Sequence, residues 1–344
     1  MKKITLALLL VFISYPVFSC SCAMWVGGDG HVIIGRNMDW KEDMKSNMWV
    51  FPQGIMRDGL CGKNSLKWTS KYGSVVTTGY DVCTPDGLNE KGLFVNDLYL
   101  DESDYGIRDV NKPAIALSLW GQFFLDNFAT VDEAVKYFEK NDIQVVTAEI
   151  AGPGSPVATL HISLGDPSGD NAIFEFLKGK LVVHHGKEFK IMTNSPPYDE
   201  QLALLKNYEG FGGKSPLPGT HQSNDRFVRA SYYTAHLPAD PKNENEAVAG
   251  ILSVMRNVSQ PFGTSDPARP NISSTIWRTV ADVTYGVYFF ESTTSPNIVW
   301  VKMSSLNFSK DAPVMKLDLV NNSDLIGDVS GKFVPTPSFE FKGS

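Results

Sequence analysis

The sequence is poor in cysteine, with four cysteines in 344 residues. Small disulfide-stabilised scaffolds are far denser in cysteine, so this chain must be held together by an apolar core. Its apolar fraction of 42% suits a folded globule with such a core. Cys61 and Cys83 lie in one candidate hairpin region, where they would either bridge in an oxidising compartment or stay as two buried thiols.

An excess of positive charge is also missing. The chain has 31 Lys and Arg residues against 38 Asp and Glu residues, which gives a net charge of −7 at pH 7. Proteins that bind nucleic acid neutralise phosphates with clusters of basic residues, and no such cluster is present. The sequence therefore predicts no nucleic-acid partner.

Apolar runs long enough to cross a membrane are absent as well. The longest is Ile4–Ile13, which follows Lys2 and Lys3 and is too short for a stable membrane span. A charged start, a short apolar run and small residues at Val17 and Ser19 are together typical of a secretory signal peptide.

We therefore expect residues 1–19 to be removed on export. A single domain of residues 20–344 would remain in the periplasm or be secreted, with Cys20 as its new N-terminus. The alternative is a lipoprotein signal, in which case Cys20 would be lipidated and the chain would be a surface-binding protein.

The order of secondary structure predicts the fold class. Apolar runs separated by turn residues indicate strands over residues 23–100, and a helical block follows from Ala114 to Phe128. Thr130 and Glu133 form a capping box that opens a further helix. Strands and then helices recur later in the chain. Strands and helices grouped in blocks favour an α+β fold with two stacked antiparallel sheets covered by helices.

Histidine is scarce, with six residues, and none has the sequence context of a Cys–His peptidase. A peptidase that used His161 or His185 as its base is the rival hypothesis. An N-terminal cysteine needs no histidine, because its own α-amine, with a pKa of about 8, can accept the thiol proton. Such a site also needs a carboxylate, a cation and oxyanion donors, and Arg36 and Asp39 are candidates for the cation and the carboxylate.

Five short motifs occur in order between residue 20 and about residue 236. They are Cys20-Ser21, Arg36-Asn-Met-Asp-Trp40, Leu88-Asn-Glu-Lys-Gly-Leu93, Met192-Thr-Asn-Ser-Pro196 and Asp225-Arg-Phe-Val-Arg229. Together they resemble the choloylglycine hydrolase family of N-terminal nucleophile hydrolases, which contains penicillin V acylases and bile salt hydrolases. The resemblance implies a four-layer αββα sandwich and hydrolysis of a linear N-acyl amide, and we expect no cofactor and no metal ion.

The resemblance also indicates which cysteine is the nucleophile. In the family, the nucleophile lies sixteen residues before the arginine of the R-x-M-D motif and is followed by Ser or Thr. Cys20 meets both conditions, whereas Cys22 lies only fourteen residues before Arg36 and is followed by Ala23.

The remaining catalytic roles are those that the resemblance implies. Arg36 would be the cation beside the thiol, and Asp39 the carboxylate that holds the α-amine. The side-chain amide of Asn194 would face the oxyanion, together with the backbone N–H of Tyr99. Arg226 corresponds to the second arginine of the family.

The substrate is expected to be a small-molecule N-acyl amide. Met24, Trp25 and Trp40 are candidates for an apolar acyl pocket, and core packing is the alternative for each. Penicillin V acylases carry tyrosine at the position of Tyr99, where Gram-positive bile salt hydrolases carry asparagine, so penicillin V acylase activity is favoured. Bile salt hydrolysis and cleavage of long-chain N-acyl-homoserine lactones stay as alternatives, and the resemblance implies a homotetramer.

Overall fold

Two β-sheets lie face to face at the centre of the protein in the computed structural model, which describes residues 20–149, 157–264 and 273–344. The predicted signal peptide, residues 1–19, lies outside the described residues. The strands, in chain order, are β1 (Ser21–Val26), β2 (Val32–Trp40), β3 (Met48–Phe51), β4 (Met56–Asp58), β5 (Lys67–Thr69), β6 (Ser74–Gly79), β7 (Cys83–Asn89), β8 (Phe94–Tyr99), β9 (Ala114–Ala116), β10 (Gln144–Val146), β11 (Leu160–Gly165), β12 (Asn171–Leu177), β13 (Lys180–His185), β14 (Ile191–Met192), β15 (Ser274–Asp282), β16 (Val287–Ser292), β17 (Ile298–Lys302), β18 (Met315–Leu317), β19 (Gly327–Asp328) and β20 (Val334–Pro335). The α-helices are α1 (Trp120–Asn127), α2 (Val131–Lys140), α3 (Tyr198–Leu205), α4 (Ser223–Ala235) and α5 (Glu244–Asn257).

The strand order defines the two sheets. The first sheet runs β14-β1-β2-β15-β16-β17-β19, and the second runs β13-β12-β11-β8-β7-β6-β3-β18-β20. Neighbouring strands are antiparallel throughout the second sheet, and in the first sheet the β17–β19 pair is parallel. Two small ribbons, β4 with β5 and β9 with β10, lie outside them. The α+β fold of stacked antiparallel sheets predicted from the sequence is confirmed.

Helices cover the outer faces of both sheets. Helices α4 and α5 pack on β1 and β2 of the first sheet, whereas α1 and α2 pack on β7, β8 and β12 of the second. One apolar cluster lies between the sheets and under α4 and α5, and another lies between the second sheet and α1 and α2. The layers are therefore helix, sheet, sheet, helix.

Strand β2 is covered on both faces, which explains why its sequence is apolar on both. A Cβ atom at position 165 in the second sheet would lie 2.4 Å from the side chain of Ile34, so Ile34 faces the space between the sheets. The opposite face of β2 meets α5, where a Cβ atom at position 35 would lie 2.6 Å from Met255. Glycine at position 35 therefore permits close approach of α5 to the strand.

The predicted helical block that begins at Ala114 is wrong in its first turn. Ala114–Ala116 forms β9, which pairs in parallel with β10, and α1 begins only at Trp120. The pairing partner lies about thirty residues further along the chain, so no local pattern reports it. The predicted cap of α2 is present, because the hydroxyl of Thr130 accepts a hydrogen bond from the backbone N–H of Glu133 at 3.2 Å.

Cys61 and Cys83 are free thiols, as are the other two cysteines. Each contacts a nearby carbonyl oxygen, Cys61 that of Gly59 at 3.2 Å and Cys83 that of Gly79 at 3.5 Å. Of the two alternatives, the structure therefore has separate thiols. Among the described residues, no helix combines the length and the apolar character that a membrane crossing requires.

Candidate active site

Cys20 lies directly before β1, the second strand from one edge of the first sheet, with β2 on one side and the edge strand β14 on the other. Strand β2 carries Arg36 and Asp39, and Asn194 follows two residues after the end of β14. Because β1 is antiparallel to both neighbours, all of these residues reach the same end of the sheet. Tyr99, the last residue of β8, comes from the facing sheet.

The Cys20 thiol is almost fully buried, with 3% of the residue exposed. Its Sγ lies 3.7 Å from the carbonyl oxygen of Asp39 and 4.0 Å from Sδ of Met38. Burial raises the pKa of the Cys20 thiol, and the guanidinium of Arg36 opposes this shift. A thiolate at this position therefore depends on the neighbouring cation and on a base close to the sulfur.

Asn194 connects the nucleophile to the facing sheet. Its Oδ1 accepts hydrogen bonds from the backbone nitrogen of Cys20 and from Nη2 of Arg226, the latter at 2.9 Å. Its Nδ2 donates to the carbonyl oxygen of Tyr99 at 2.7 Å. An amide nitrogen carries two N–H groups, so this bond uses one of them. The oxyanion roles of Asn194 and of the Tyr99 N–H stay predictions.

Arg226 holds the start of β1 from helix α4. Its Nη1 donates to the carbonyl oxygen of Cys20 and, at 2.6 Å, to the hydroxyl of Ser21. The same nitrogen lies 4.0 Å from Oδ2 of Asp39. Burial lowers the pKa of Arg226, and the Asp39 carboxylate opposes that shift. The guanidinium therefore positions Cys20 rather than leaving it at the frayed end of a strand.

Asp39 is fully buried, and burial raises its pKa to about 6 although Arg226 acts in the opposite direction. The hydroxyl of Thr275 donates to its Oδ1. The backbone nitrogen of Cys20 is bonded to Asn194 in this structure, so the expected contact between Asp39 and a free α-amine stays a prediction.

Arg36 crosses from the first sheet to the second. It is fully buried, its Nη2 donates to the carbonyl oxygen of Asp97 at 2.7 Å, and its guanidinium lies over the Trp277 ring at 4.6 Å. Burial raises the pKa of the carboxyl groups of Asp97 and Asp86, the latter to about 7, and Arg36 opposes both shifts. This cation is fixed by groups on both sheets before any substrate arrives.

A cavity of about 140 Å³ opens beside Cys20. Trp40 lines it, as predicted for the acyl pocket, whereas Met24 and Trp25 are not among its lining residues. Their distance along β1 explains this, because four or five residues at about 3.3 Å each carry them roughly 13–17 Å from Cys20. The apolar lining residues are Met38, Trp40, Met44, Val82, Pro85, Ala116, Leu117, Ala148, Ala158 and Leu160.

Two residues that contact the site were not predicted from the sequence. Thr275 reaches Asp39 only because β15 pairs with β2, and no local signal marks it. Lys342 lines the cavity from a part of the chain that carries none of the five motifs. Within the described ranges, no group of three or more His, Cys, Asp or Glu side chains is arranged to hold a metal ion.

Comparison with known proteins identifies the family of the chain. The profile of the family described as linear amide C–N hydrolases, choloylglycine hydrolase family, matches residues 20–324. Penicillin V acylase of Pectobacterium atrosepticum is 43% identical over 373 residues, which cover 99% of this chain and 98% of that protein. Bile salt hydrolase/transferase of Clostridium perfringens is 26% identical over 308 residues, 81% of this chain and 91% of that one. The solved structure of penicillin V acylase from Agrobacterium tumefaciens is similar, with a TM-score of 0.86 and 48% identity over 94% of this chain and 100% of that chain.

Proposed function

Because the chain belongs to the choloylglycine hydrolase family of linear amide C–N hydrolases, we propose that it hydrolyses N-acyl amides with a small aryl-acyl group, such as penicillin V. The observation that carries this proposal is the Cys20 thiol at the edge of a small apolar cavity, with two buried arginines beside it. Family membership and amide hydrolysis, both expected from the sequence, are confirmed by the comparisons.

The size of the cavity favours a small acyl group. A protein cavity of about 150 Å³ is known to bind benzene, and the volume beside Cys20 is about 140 Å³. The phenyl ring of a phenoxyacetyl group fits such a space. A bile acid carries a fused four-ring steroid, which is much larger than benzene, and a long fatty acyl chain would also exceed the space. Penicillin V is therefore favoured over conjugated bile salts and long-chain N-acyl-homoserine lactones.

The proposed reaction is an acyl transfer to Cys20 followed by hydrolysis. The α-amine of Cys20 takes the thiol proton, the sulfur attacks the amide carbon, and the proton then passes to the nitrogen as the C–N bond breaks. Water attacks the resulting thioester and releases the carboxylic acid and the thiol. Arg36 favours the thiolate, Asp39 holds the amine, and Asn194 with the Tyr99 N–H stabilises the oxyanion.

The first prediction separates the two neighbouring cysteines. Cys20→Ala should abolish hydrolysis of penicillin V, whereas Cys22→Ala should retain most of it. Cys22 is buried, accepts a hydrogen bond from Nδ2 of Asn96 at 3.4 Å, and has its pKa raised to about 12 by burial, so its thiol is neutral. Steady-state kinetics on penicillin V, on a conjugated bile salt and on acyl-homoserine lactones of graded length measure both activity and preference. Activity of Cys20→Ala on any of them would refute the assignment.

We also propose that the protein is exported and cut after Ser19, as the leader sequence favours. N-terminal sequencing of exported protein that begins Cys-Ser-Cys-Ala would support this, and a lipid mass on Cys20 would support the surface-binding alternative instead. The homotetramer implied by the family resemblance is also a proposal, and light scattering of purified protein measures it.

A further inference from the structure

The chain beyond the family match forms part of the wall of the cavity beside Cys20. The match covers residues 20–324, and Lys342 is one of the residues that line the cavity. We call residues 339–344 the C-terminal strap.

The backbone of the strap is bonded to two other walls of the cavity. The N–H of Lys342 donates to the carbonyl oxygen of Val82 at 3.0 Å, and the hydroxyl of Ser118 donates to the carbonyl oxygen of Lys342 at 2.6 Å. Val82 and Ser118 both line the cavity. Further along, the N–H of Ser344 donates to the carbonyl oxygen of Leu60 at 3.1 Å. The strap therefore bridges the cavity walls through its main chain.

Aromatic packing holds the strap in place before it reaches the cavity. The rings of Phe339 and Phe341 lie 4.6 Å apart, and Phe339 meets Trp49 edge-on at 5.2 Å. The guanidinium of Arg57 lies 5.1 Å from the Phe341 ring. Contacts of this kind stabilise a segment beyond the burial of its apolar area. The strap is thus a packed part of the fold.

Besides the main-chain hydrogen bonds and the aromatic packing, the Lys342 side chain also attaches the strap to the cavity wall. Its Nζ donates to the carbonyl oxygen of Glu149, which also lines the cavity. Cys20 belongs to the first sheet, whereas Val82 lies in the turn between β6 and β7 of the second. Lys342 is therefore attached, through Val82, to a turn of the second sheet, whereas Cys20 directly precedes a strand of the first.

We propose that Lys342 determines acyl-chain specificity, because its carbon stem limits the length of the acyl group that fits beside Cys20. The inference rests on the proposed function and names the element that restricts it to short acyl groups. A lysine stem of four carbons packs well against apolar surface while its charged end is bonded elsewhere. A shorter side chain would open the cavity and admit longer linear acyl groups.

The test compares Lys342→Ala, Lys342→Met and Lys332→Ala. Methionine keeps the length of the stem without its charge, and Lys332 is an exposed lysine outside the cavity lining. The substrates are phenoxyacetyl, hexanoyl and decanoyl amides of one amine, 6-aminopenicillanic acid. Lys342→Ala should raise the ratio of kcat/KM for decanoyl over phenoxyacetyl roughly tenfold or more, since single methylenes in a pocket are worth about 10- to 200-fold.

The two other variants should keep the parent ratio. A ratio in Lys342→Ala equal to that of Lys332→Ala would overturn the proposal, and so would an equal shift in Lys342→Met, which would assign the effect to charge. Lys342→Leu, which keeps more of the packing, should shift the ratio in the same direction by less and serves if the alanine variant folds poorly by circular dichroism.

Binding measurements separate this proposal from the proposed function. Calorimetry gives the Kd of phenoxyacetate and of decanoate for each folded variant without any turnover. If the parent hydrolyses none of the amides, the proposed function fails, and the ratio of the two Kd values still tests Lys342. If the parent is active and neither ratio moves in Lys342→Ala, the specificity proposal alone fails.

Discussion

At the scale of single residues, the site is notable for the full charges that it buries. Arg36, Asp39 and Arg226 have no exposed surface. A buried charge is costly unless it is paired and hydrogen-bonded, and removal of one partner leaves the other uncompensated. Clusters of buried groups with shifted pKa values are typical of catalytic sites. The common neighbour of Arg36, Asp39 and Arg226 is the Cys20 thiol. Burial raises the pKa of this thiol, and both arginines oppose that shift.

The second prediction concerns Asn194. Asn194→Ala should lower kcat on penicillin V roughly 100- to 1,000-fold with little change in KM, because an oxyanion donor acts mainly in the transition state. Asn245→Ala, an exposed asparagine on α5, is the matched control. A raised KM with normal kcat would instead assign Asn194 to ground-state binding.

The sequence could nominate the candidate site residues, whereas it could not predict the contacts that they make. Motif spacing pointed to Cys20, Arg36 and Asn194, and the structure brings these three to one end of the first sheet. Thr275 donates to Asp39 across 236 positions of sequence, so only strand pairing could place it there.

At the scale of elements, the connection between β14 and α3 fixes Asn194. The N–H of Tyr198, the first residue of α3, lies 3.2 Å from both carboxylate oxygens of Glu175 on β12. Gln201 of α3 donates to the carbonyl oxygens of Asn194 and, at 2.8 Å, of Pro196. A buried carboxylate at a helix N-terminus is favourable, so Glu175 anchors the helix that holds the Asn194 segment.

The third prediction is a pH dependence of stability. Burial of Glu175 would raise its pKa, but the hydrogen bond with His161 at 2.9 Å and the His184 ring at 3.6 Å outweigh burial and lower the pKa from 4.5 to about 2. An acid with a depressed folded-state pKa stabilises the fold above its unfolded value and loses that contribution as pH falls towards the folded value. Stability from Glu175 should therefore decline between about pH 4.5 and 2.

Urea unfolding measured between about pH 4.5 and 2 tests this predicted loss of stability. Glu175→Gln should show a flatter loss of unfolding free energy with falling pH than the parent, because the glutamine cannot titrate. Glu340→Gln, at an exposed position, is the control and should follow the parent. Parallel profiles for Glu175→Gln and the parent would contradict the assignment.

At the scale of the whole molecule, grouping of strands and helices was enough to predict the sandwich, but not which strands meet. Strand β18 from the late part of the chain pairs with β3, with Met315 opposite Val50, and so extends the second sheet beside residues near the start. Such a pairing depends on the packing of the complete chain. Lys342 likewise reaches the cavity from late in the chain, through hydrogen bonds with Val82 and Ser118, and no motif could indicate this placement.

The last prediction tests the architecture and the mechanism together, because the sandwich places the start of β1 in its interior. The backbone nitrogen of Cys20 is within hydrogen-bond reach of Asn194, and the residue is 3% exposed. One alanine added ahead of Cys20, by a shifted cleavage site, keeps the thiol but turns its amine into an amide. An amide nitrogen has no basicity near neutral pH, so the proton of the thiol would lose its acceptor.

The extension should therefore lower kcat on penicillin V, while the circular dichroism spectrum stays that of the native form. An aminopeptidase that removes the added alanine regenerates the α-amine and should restore turnover in the same sample. A Cys–His peptidase would tolerate the extension, because its base lies elsewhere in the fold. Near-native kcat in the extended protein would therefore exclude the α-amine as the base, whatever the family resemblance implies.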